Sequence, residues 1–255
     1  MTAMFDLKGH TALVTGGNAG LGLAMARGLA KAGASVAIWG RDAARNSGAR
    51  EELSALGGVV ADFTCDVTDP DAVETAMAAT LERMGRIDSC FANAGGSGIR
   101  GPFINLTPED WRQTMDLNFT SVVCTFQAAV RHYLARGGGG RLIVTSSVAA
   151  MMGIPMAGGY SASKSAAAAL VRNLAVELAG AGIVANAILP GFIETAMSLD
   201  TPKAFQDAAR RRTPSGQIGT LDDMEGIAVF LAARESRLIT GQSIVIDGGQ
   251  SIFPM

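Results

Sequence analysis

A glycine-rich turn that follows a short apolar run constrains this 255-residue chain more than any other feature. The apolar run covers Thr11 to Thr15, and glycines then stand at positions 16, 20 and 22, where a helical pattern begins. A strand, a glycine turn and a helix in this order bring backbone N–H groups and the positive end of a helix dipole to one place. Three glycines exceed what a bare turn requires, so the sequence predicts a diphosphate-binding loop. A glycine turn without a ligand is the alternative.

Seven short runs rich in β-branched and apolar residues alternate with longer helical patterns. Several of these runs are apolar on both faces, which is typical of parallel strands covered by helices on two sides. One helix is predicted over 70–84, because Pro70 follows Asp69 there. The predicted strands are 11–15, 35–39, 59–65, 87–92, 141–146, 183–189 and 242–246.

This alternation predicts one α/β domain over 1–255. Right-handed crossovers lead to a doubly wound (Rossmann) parallel sheet of about seven strands with helices on both faces. In such a sheet the ligand crevice lies at the carboxyl ends of the strands, where the winding direction reverses. We therefore expect the functional residues on the loops at that edge.

Composition and charge exclude several classes of function. A hydrophobic content of 48% with 17% charged residues excludes a disordered chain, and a net charge of −2 provides no basic field for nucleic acid. No run of eighteen apolar residues predicts a membrane span, and the first residues lack the pattern of a secretory signal. Cys65, Cys90 and Cys124 form no CxxC pair, which favours a reducing, cytoplasmic location. His10 and His132 lack clustered ligands, so we expect no metal.

Further motifs follow the later strands in a fixed order. They are Asp66 and Val67, then Asn93, Ala94 and Gly95, then Asn118, Ser147, Tyr160, Lys164, Pro190 and Gly191. Together with the GxxxGxG spacing of the turn, this series resembles the short-chain dehydrogenase/reductase superfamily over nearly the whole chain. The resemblance is equal toward members that reduce 3-oxoacyl carrier proteins and members that act on sugar acids, and it implies a small-molecule carbonyl or alcohol substrate.

A tyrosine and a lysine four positions apart form the candidate acid/base group. On a helix, Tyr160 and Lys164 share one face, and an ammonium close by favours the phenolate form. The resemblance implies that Tyr160 transfers the proton, that Lys164 also binds ribose, that Ser147 holds the substrate oxygen, and that Asn118 anchors a water relay. Ser146 is the adjacent alternative to Ser147, because neighbouring strand residues point to opposite faces.

The resemblance also implies a set of residues that bind a nicotinamide coenzyme. Asp66 and Val67 would flank the adenine, and Thr195 would contact the nicotinamide carboxamide. The full set is Gly16, Asn18, Gly20, Leu21, Gly22, Arg41, Asp66, Val67, Asn93, Ala94, Gly95, Tyr160, Lys164, Pro190, Gly191, Ile193 and Thr195.

The end of the second predicted strand indicates which coenzyme is bound. An acidic residue there binds a ribose 2′-hydroxyl, whereas an arginine accommodates a 2′-phosphate. Gly40 stands where we align the acidic residue, and Arg41 follows it, so the sequence favours NADP(H). In the alternative, a shift of one position lets Asp42 act as the acidic residue, and the chain binds NAD(H).

Two regions bear on the substrate and on assembly. Residues 192–214 have mixed polarity and are interpreted as a lid over the substrate pocket. The helix after Tyr160 is rich in alanine, at Ala162 and 166–169, so another helix can approach closely, and the resemblance implies a homotetramer.

Two other functions are alternatives to an oxidoreductase. A serine hydrolase is disfavoured because Ser161 and Lys164 match S-x-x-K without its partner motifs, while a non-catalytic coenzyme-binding regulator would have the same fold.

Overall fold

A computed structural model describes residues 4–252, apart from the side chain of Met197. The strands are β1 (Thr11–Thr15), β2 (Ser35–Gly40), β3 (Val60–Thr64), β4 (Ser89–Ala92), β5 (Gly140–Thr145), β6 (Ile183–Pro190) and β7 (Ser243–Ile246). The α-helices are α1 (Gly20–Lys31), α2 (Ala43–Ser54), α3 (Pro70–Met84), α4 (Pro108–Met115), α5 (Ser121–Arg136), α6 (Gly158–Leu178), α7 (Ala196–Leu199), α8 (Lys203–Arg212) and α9 (Asp223–Ala232). A π-helical turn, Asp116–Thr120, joins α4 to α5.

The seven strands form one parallel sheet in the order β3-β2-β1-β4-β5-β6-β7. This arrangement confirms the predicted doubly wound Rossmann sheet. The winding direction reverses between β1 and β4, and at that point the loops after the two strands separate and leave a crevice. The glycine turn follows β1, and the turn that begins at Asn93 follows β4, so both predicted motifs flank the crevice.

The core consists of two apolar layers, one on each face of the sheet. One layer packs α3, α5 and α6 against the strands and contains Phe126 and Tyr133. The other packs α1, α2 and α9 and contains Met25, Leu29 and Leu53. Because both faces are covered, the inner strands β1, β2, β4, β5 and β6 are buried on both sides, which explains why they are apolar without a clear alternation.

Two absences apply to the described part of the chain. Within residues 4–252 no helix combines the length and the apolar character needed to cross a lipid bilayer. In the same range, no three His, Cys, Asp or Glu side chains come together in a way that could hold a metal ion. The absence of a metal requirement stays a prediction.

Candidate active site

The glycine turn after β1 is built by close backbone approaches. Gly16 has a φ of 63° and donates its N–H to the Trp39 carbonyl at 2.7 Å. A Cβ on Gly22 would overlap the Gly16 carbonyl oxygen, so only glycine fits there. The turn therefore folds back on the first residues of α1.

The turn after β4 is tied to the glycine turn by hydrogen bonds. The Thr15 hydroxyl oxygen accepts the N–H groups of Asn93 and Ala94, both at 3.0 Å. The Asn93 side-chain amide donates to the Thr15 carbonyl at 3.1 Å. Thr15 therefore fixes the crevice from both sides, a role that the sequence analysis did not assign to it.

The start of α1 fits the diphosphate of a dinucleotide. Ala19 stands at its N-cap without a side-chain hydrogen bond, and the first turn holds no acidic residue. The first N–H groups of a helix have no partner within the helix and attract anions. Space is open beside Gly20, where an added Cβ would meet only the Thr195 methyl group, at 4.0 Å. Thr195 thus faces the glycine turn across the crevice.

The end of β2 is where a coenzyme ribose would lie. Arg41 is exposed, whereas Asp42 caps α2 by accepting the N–H groups of Ala44 at 3.0 Å and Arg45 at 3.1 Å. Hydrogen bonds from Thr68 hold the pKa of Asp66 below its ordinary value, and the charge of Arg41 acts in the same direction. Arg41 and Asp66 therefore lie on the same rim of the crevice.

The buried ammonium of Lys164 lies at the centre of the carboxyl edge. Lys164 is 5% exposed, and its Nζ donates to the Thr145 carbonyl at the end of β5 at 2.8 Å. Burial lowers the pKa of Lys164 from 10.5 to about 8. The Nζ lies 5.9 Å from the centre of the Tyr160 ring, one helical turn earlier on α6.

The two adjacent serines after β5 have different partners. The Ser146 hydroxyl donates to the Lys164 carbonyl at 2.8 Å and is buried against α6. The Ser147 oxygen accepts the Ala149 N–H at 3.1 Å and keeps its own proton for another acceptor. Because the Ser146 hydroxyl already donates its proton to the backbone of α6, Ser147 is the serine that fits a substrate oxygen.

Asn118 lies in the π-helical turn and is fully buried. Its side-chain oxygen accepts the Gly96 N–H at 2.9 Å, and its amide donates to the Gly96 carbonyl at 3.0 Å. A Cβ on Gly95 would lie 2.8 Å from the Asn118 oxygen and 3.3 Å from the Lys164 Nζ. The turn after β4, the π-helical turn and α6 therefore meet at one point.

The remaining predicted coenzyme residues divide into two groups. Pro190 ends β6, and Gly191 donates its N–H to the Ile246 carbonyl at 2.8 Å, so the main chain lies at the carboxyl edge. The side chains of Leu21, Val67 and Ile193 pack in the apolar layers instead. The polar groups that these three residues can offer a ligand are therefore those of the backbone.

A parallel sheet with a glycine turn at its winding reversal, and with a tyrosine, a lysine and a serine at its carboxyl edge, is typical of oxidoreductases that take a nicotinamide coenzyme. Comparison with known proteins places the chain more narrowly. Residues 16–251 match the family profile described as enoyl-(acyl carrier protein) reductase. The chain is 36% identical to gluconate 5-dehydrogenase of Gluconobacter oxydans (strain 621H) over 251 residues, which cover 98% of this chain and 97% of that protein.

Two further relatives cover similar shares of the chain. The 3-oxoacyl-[acyl-carrier-protein] reductase of Chlamydia pneumoniae is 32% identical over 243 residues, which cover 95% of this chain and 97% of that protein. The crystal structure of a gluconate 5-dehydrogenase from Burkholderia cenocepacia J2315, in complex with NADP and tartrate, superposes with a TM-score of 0.91 at 35% identity and 97% coverage of both chains. The chain belongs to the short-chain dehydrogenase/reductase family, and it is an oxidoreductase that acts on carbonyl or alcohol substrates.

Proposed function

We propose that this chain uses NADP(H) to interconvert a carbonyl and a secondary alcohol, with Tyr160 as the group that transfers the proton. The observation that carries the proposal is the buried Lys164 ammonium, which is fixed on the Thr145 carbonyl one helical turn from Tyr160. A buried cation at this place favours negative charge on the neighbouring phenol oxygen. It also suits a ribose hydroxyl, to which an ammonium donates.

The side chains divide the work of this chemistry. The coenzyme, when bound, supplies or accepts the hydride. In the reducing direction, Tyr160 donates its proton to the carbonyl oxygen, and Lys164 stabilises the phenolate that remains. Ser147 donates a hydrogen bond to the same carbonyl oxygen and orients it. Asn118 holds the Gly96 backbone by two hydrogen bonds and thereby keeps the turn after β4 in place beside Lys164. Its part in a water relay stays a prediction.

The preference for NADP(H) is supported by the end of β2. Gly40 carries no carboxylate that would repel a 2′-phosphate, and the exposed Arg41 offers a guanidinium to bind it. The alternative, in which Asp42 binds a 2′-hydroxyl of NAD(H), is disfavoured because the Asp42 carboxylate already accepts two backbone N–H groups of α2.

The lid and the oligomer stay proposals of the same kind. Residues 192–214 form α7 and α8, and α8 is anchored by an edge-to-face contact between Phe205 and Phe192, with ring centres 5.8 Å apart. We propose that this segment covers the substrate. The exposed face of α6 includes Ala162, which leaves room for a second α6 in a homotetramer, although Ala167 and Ala168 pack in the core. A cytoplasmic location also stays a prediction.

Replacement of the tyrosine hydroxyl tests the mechanism. We expect Tyr160→Phe to bind coenzyme as the wild type does and to lose at least about 100-fold in kcat, because a general acid contributes about that much. Coenzyme binding is followed by fluorescence, and turnover by NADPH absorbance with a panel of ketones, sugar acids and acyl thioesters. The chain's other tyrosine provides the control: Tyr133 lies in the core and donates to the Arg141 carbonyl at 3.2 Å, so Tyr133→Phe should keep its turnover. Near-normal kcat in Tyr160→Phe would contradict the mechanism, and coenzyme binding without any turnover in the wild type would indicate a regulator.

Coenzyme choice has its own test. We expect Arg41→Ala to lower kcat/KM for NADPH by about tenfold or more and to leave kcat/KM for NADH within about twofold, because only the 2′-phosphate loses a charged partner. Arg83→Ala is the control, since Arg83 is exposed at the far end of α3. An unchanged ratio between the two coenzymes would defeat the assignment.

A further inference from the structure

A buried asparagine on α2 lies directly beneath the end of β2. Asn46 is fully buried, although the residues before it on α2 are exposed. A buried amide is costly unless its donors and its acceptor are all paired. The partners of Asn46 therefore indicate why the residue is there.

Asn46 joins three backbone or side-chain groups around the end of β2. Its Nδ2 donates to the Gly40 carbonyl at 2.9 Å and to the Phe63 carbonyl at 3.1 Å. Its Oδ1 accepts from the Nδ2 of Asn18, in the glycine turn, at 2.6 Å. Two carbonyl acceptors fix which end of the Asn46 amide is the donor, and this orientation in turn requires Asn18 to present its own NH₂ group.

The pair of amides fills the space in front of Gly40. A Cβ on Gly40 would overlap both the Asn18 Nδ2 and the Asn46 Oδ1, and it would lie 2.8 Å from the Asn18 Cγ. Gly40 is not among the residues with positive φ, so it is glycine because of space and not because of its backbone conformation. Any side chain at position 40 must first displace these amides.

We propose that Asn46 is a positioning residue that determines coenzyme specificity: by holding Asn18 across the end of β2, it excludes the acidic side chain that would otherwise bind a ribose 2′-hydroxyl. This inference rests on the proposed NADP(H) preference and adds the device that maintains it. Arg41 attracts the 2′-phosphate, whereas Asn46 and Asn18 prevent the competing arrangement. Discrimination between NADP(H) and NAD(H) therefore combines an attractive group, Arg41, with an excluding pair, Asn46 and Asn18.

A double-mutant cycle tests the device. Gly40→Asp alone should weaken binding of both NADPH and NADH at least about tenfold, because its Cβ collides with the amide pair. In Gly40→Asp/Asn46→Ala, Asn18 loses its partner and turns away, so the ratio of kcat/KM for NADH over NADPH should rise at least about tenfold above that of Asn46→Ala. Dissociation constants for both coenzymes, measured by fluorescence, give the same comparison without any substrate. Glu51→Ala, on the exposed side of α2, is the control and should change neither ratio.

The outcomes separate this inference from the proposed function. If Gly40→Asp alone gains NADH as fully as the double variant does, Asn46 excludes nothing and the inference is overturned. If the wild type prefers NADH, the proposed function fails first. If Asn46→Ala unfolds, Asn18→Ala is used instead, because it removes the other amide of the pair from a partly exposed turn. Asn18→Ala/Gly40→Asp must then show the same rise in the ratio of kcat/KM for NADH over NADPH. An additive result in both cycles overturns the inference.

Discussion

Lys164 keeps its ammonium where bulk water does not reach it, because the side chain passes beneath the turn after β4 and ends on the Thr145 carbonyl. The charged form is stabilised there by one backbone acceptor, and burial lowers its pKa to about 8. A lysine of ordinary pKa would stay charged throughout the neutral range. The charge of Lys164 is therefore lost only slightly above neutral pH.

A pH profile follows from this pKa. We expect kcat/KM for the preferred reduced coenzyme to fall above pH 8, by about tenfold for each pH unit, because this parameter reports the free enzyme. Lys164→Arg should be slower but should keep its charge, so the decline should move to higher pH. A flat wild-type profile from pH 7 to pH 10 would contradict the role of Lys164.

The two serines after β5 give a paired prediction. Ser147→Ala should lower kcat by about tenfold or more while coenzyme binding is kept, because the substrate oxygen loses a donor. Ser146→Ala removes a hydrogen bond to the Lys164 carbonyl, so it should lower the free energy of unfolding by about 1 kcal/mol and leave kcat within a few fold. Steady-state kinetics and urea unfolding distinguish the two variants, and equal loss of kcat in both would remove the distinction.

At the scale of elements, the strands and α3 follow closely from the sequence. The helix predicted over 70–84 has those bounds, with Asp69 as its cap and Gly85, at a φ of 77°, just after its end. The predicted strands at 59–65 and 87–92 are shorter in the structure, as Val60–Thr64 and Ser89–Ala92. The shortening has a physical reason in β4, because the Asp88 carboxylate binds the Thr11 N–H before the ladder begins.

The features that the sequence analysis missed all depend on contacts between distant residues. The π-helical turn around Asn118 was not predicted, because a single π turn is rare and too short to show a period of its own. Thr15 and Asn46 are buried polar residues, and each acts through hydrogen bonds to a residue far away in the sequence. The separations are 78 positions for Thr15 and 28 positions for Asn46. Local patterns predict elements, but they do not predict which elements meet.

Thr15 gives a prediction at this scale. Thr15→Val keeps the shape of the side chain but leaves two N–H groups after β4 without their acceptor, so it should cost about 2 kcal/mol in the free energy of unfolding and weaken coenzyme binding. Thr145→Val is the matched control at the end of β5, because the Thr145 hydroxyl is buried and has no hydrogen-bond partner within the described residues. We expect that control to be neutral or stabilising in urea unfolding. A neutral Thr15→Val would contradict the bracing role.

For the whole molecule, stability in acid depends on the edge of the sheet opposite the crevice. There burial lowers the pKa of His10 from 6.5 to about 4, although the Asp88 carboxylate opposes the shift. Burial of Asp88 raises its pKa, but hydrogen bonds from Arg86, Arg136 and the Thr11 N–H outweigh this effect and hold it below the ordinary value. Both groups have depressed pKa values, so the stability that they provide is lost as the pH falls.

The direction of this change in stability, and the pH range in which it occurs, follow from the lowered pKa of His10. Between pH 6.5 and 4 the unfolded chain binds a proton that the folded protein excludes, so His10 alone should cost about 3 kcal/mol of stability across this range. His10→Gln keeps a partner for the Ser89 hydroxyl, 3.0 Å away, and should make the decline shallower. Urea unfolding at pH 7, 5.5 and 4.5 measures the effect. A wild type that is equally stable at pH 7 and pH 4.5 would refute this account.

The chain's two tryptophans lie in different surroundings, one in the core and one beside the start of α6. Trp39 is fully enclosed, donates its indole N–H to Thr80 at 2.9 Å, and offers its carbonyl to the glycine turn. Trp111, on α4, lies near the start of α6, where a Cβ on Gly158 would be 3.2 Å from its ring. The molecule thus carries two intrinsic fluorophores, one in the core behind the glycine turn and one beside the start of α6. In variants that keep a single tryptophan, the emission wavelength and the energy transfer to a bound reduced coenzyme would report on binding at each of these two places.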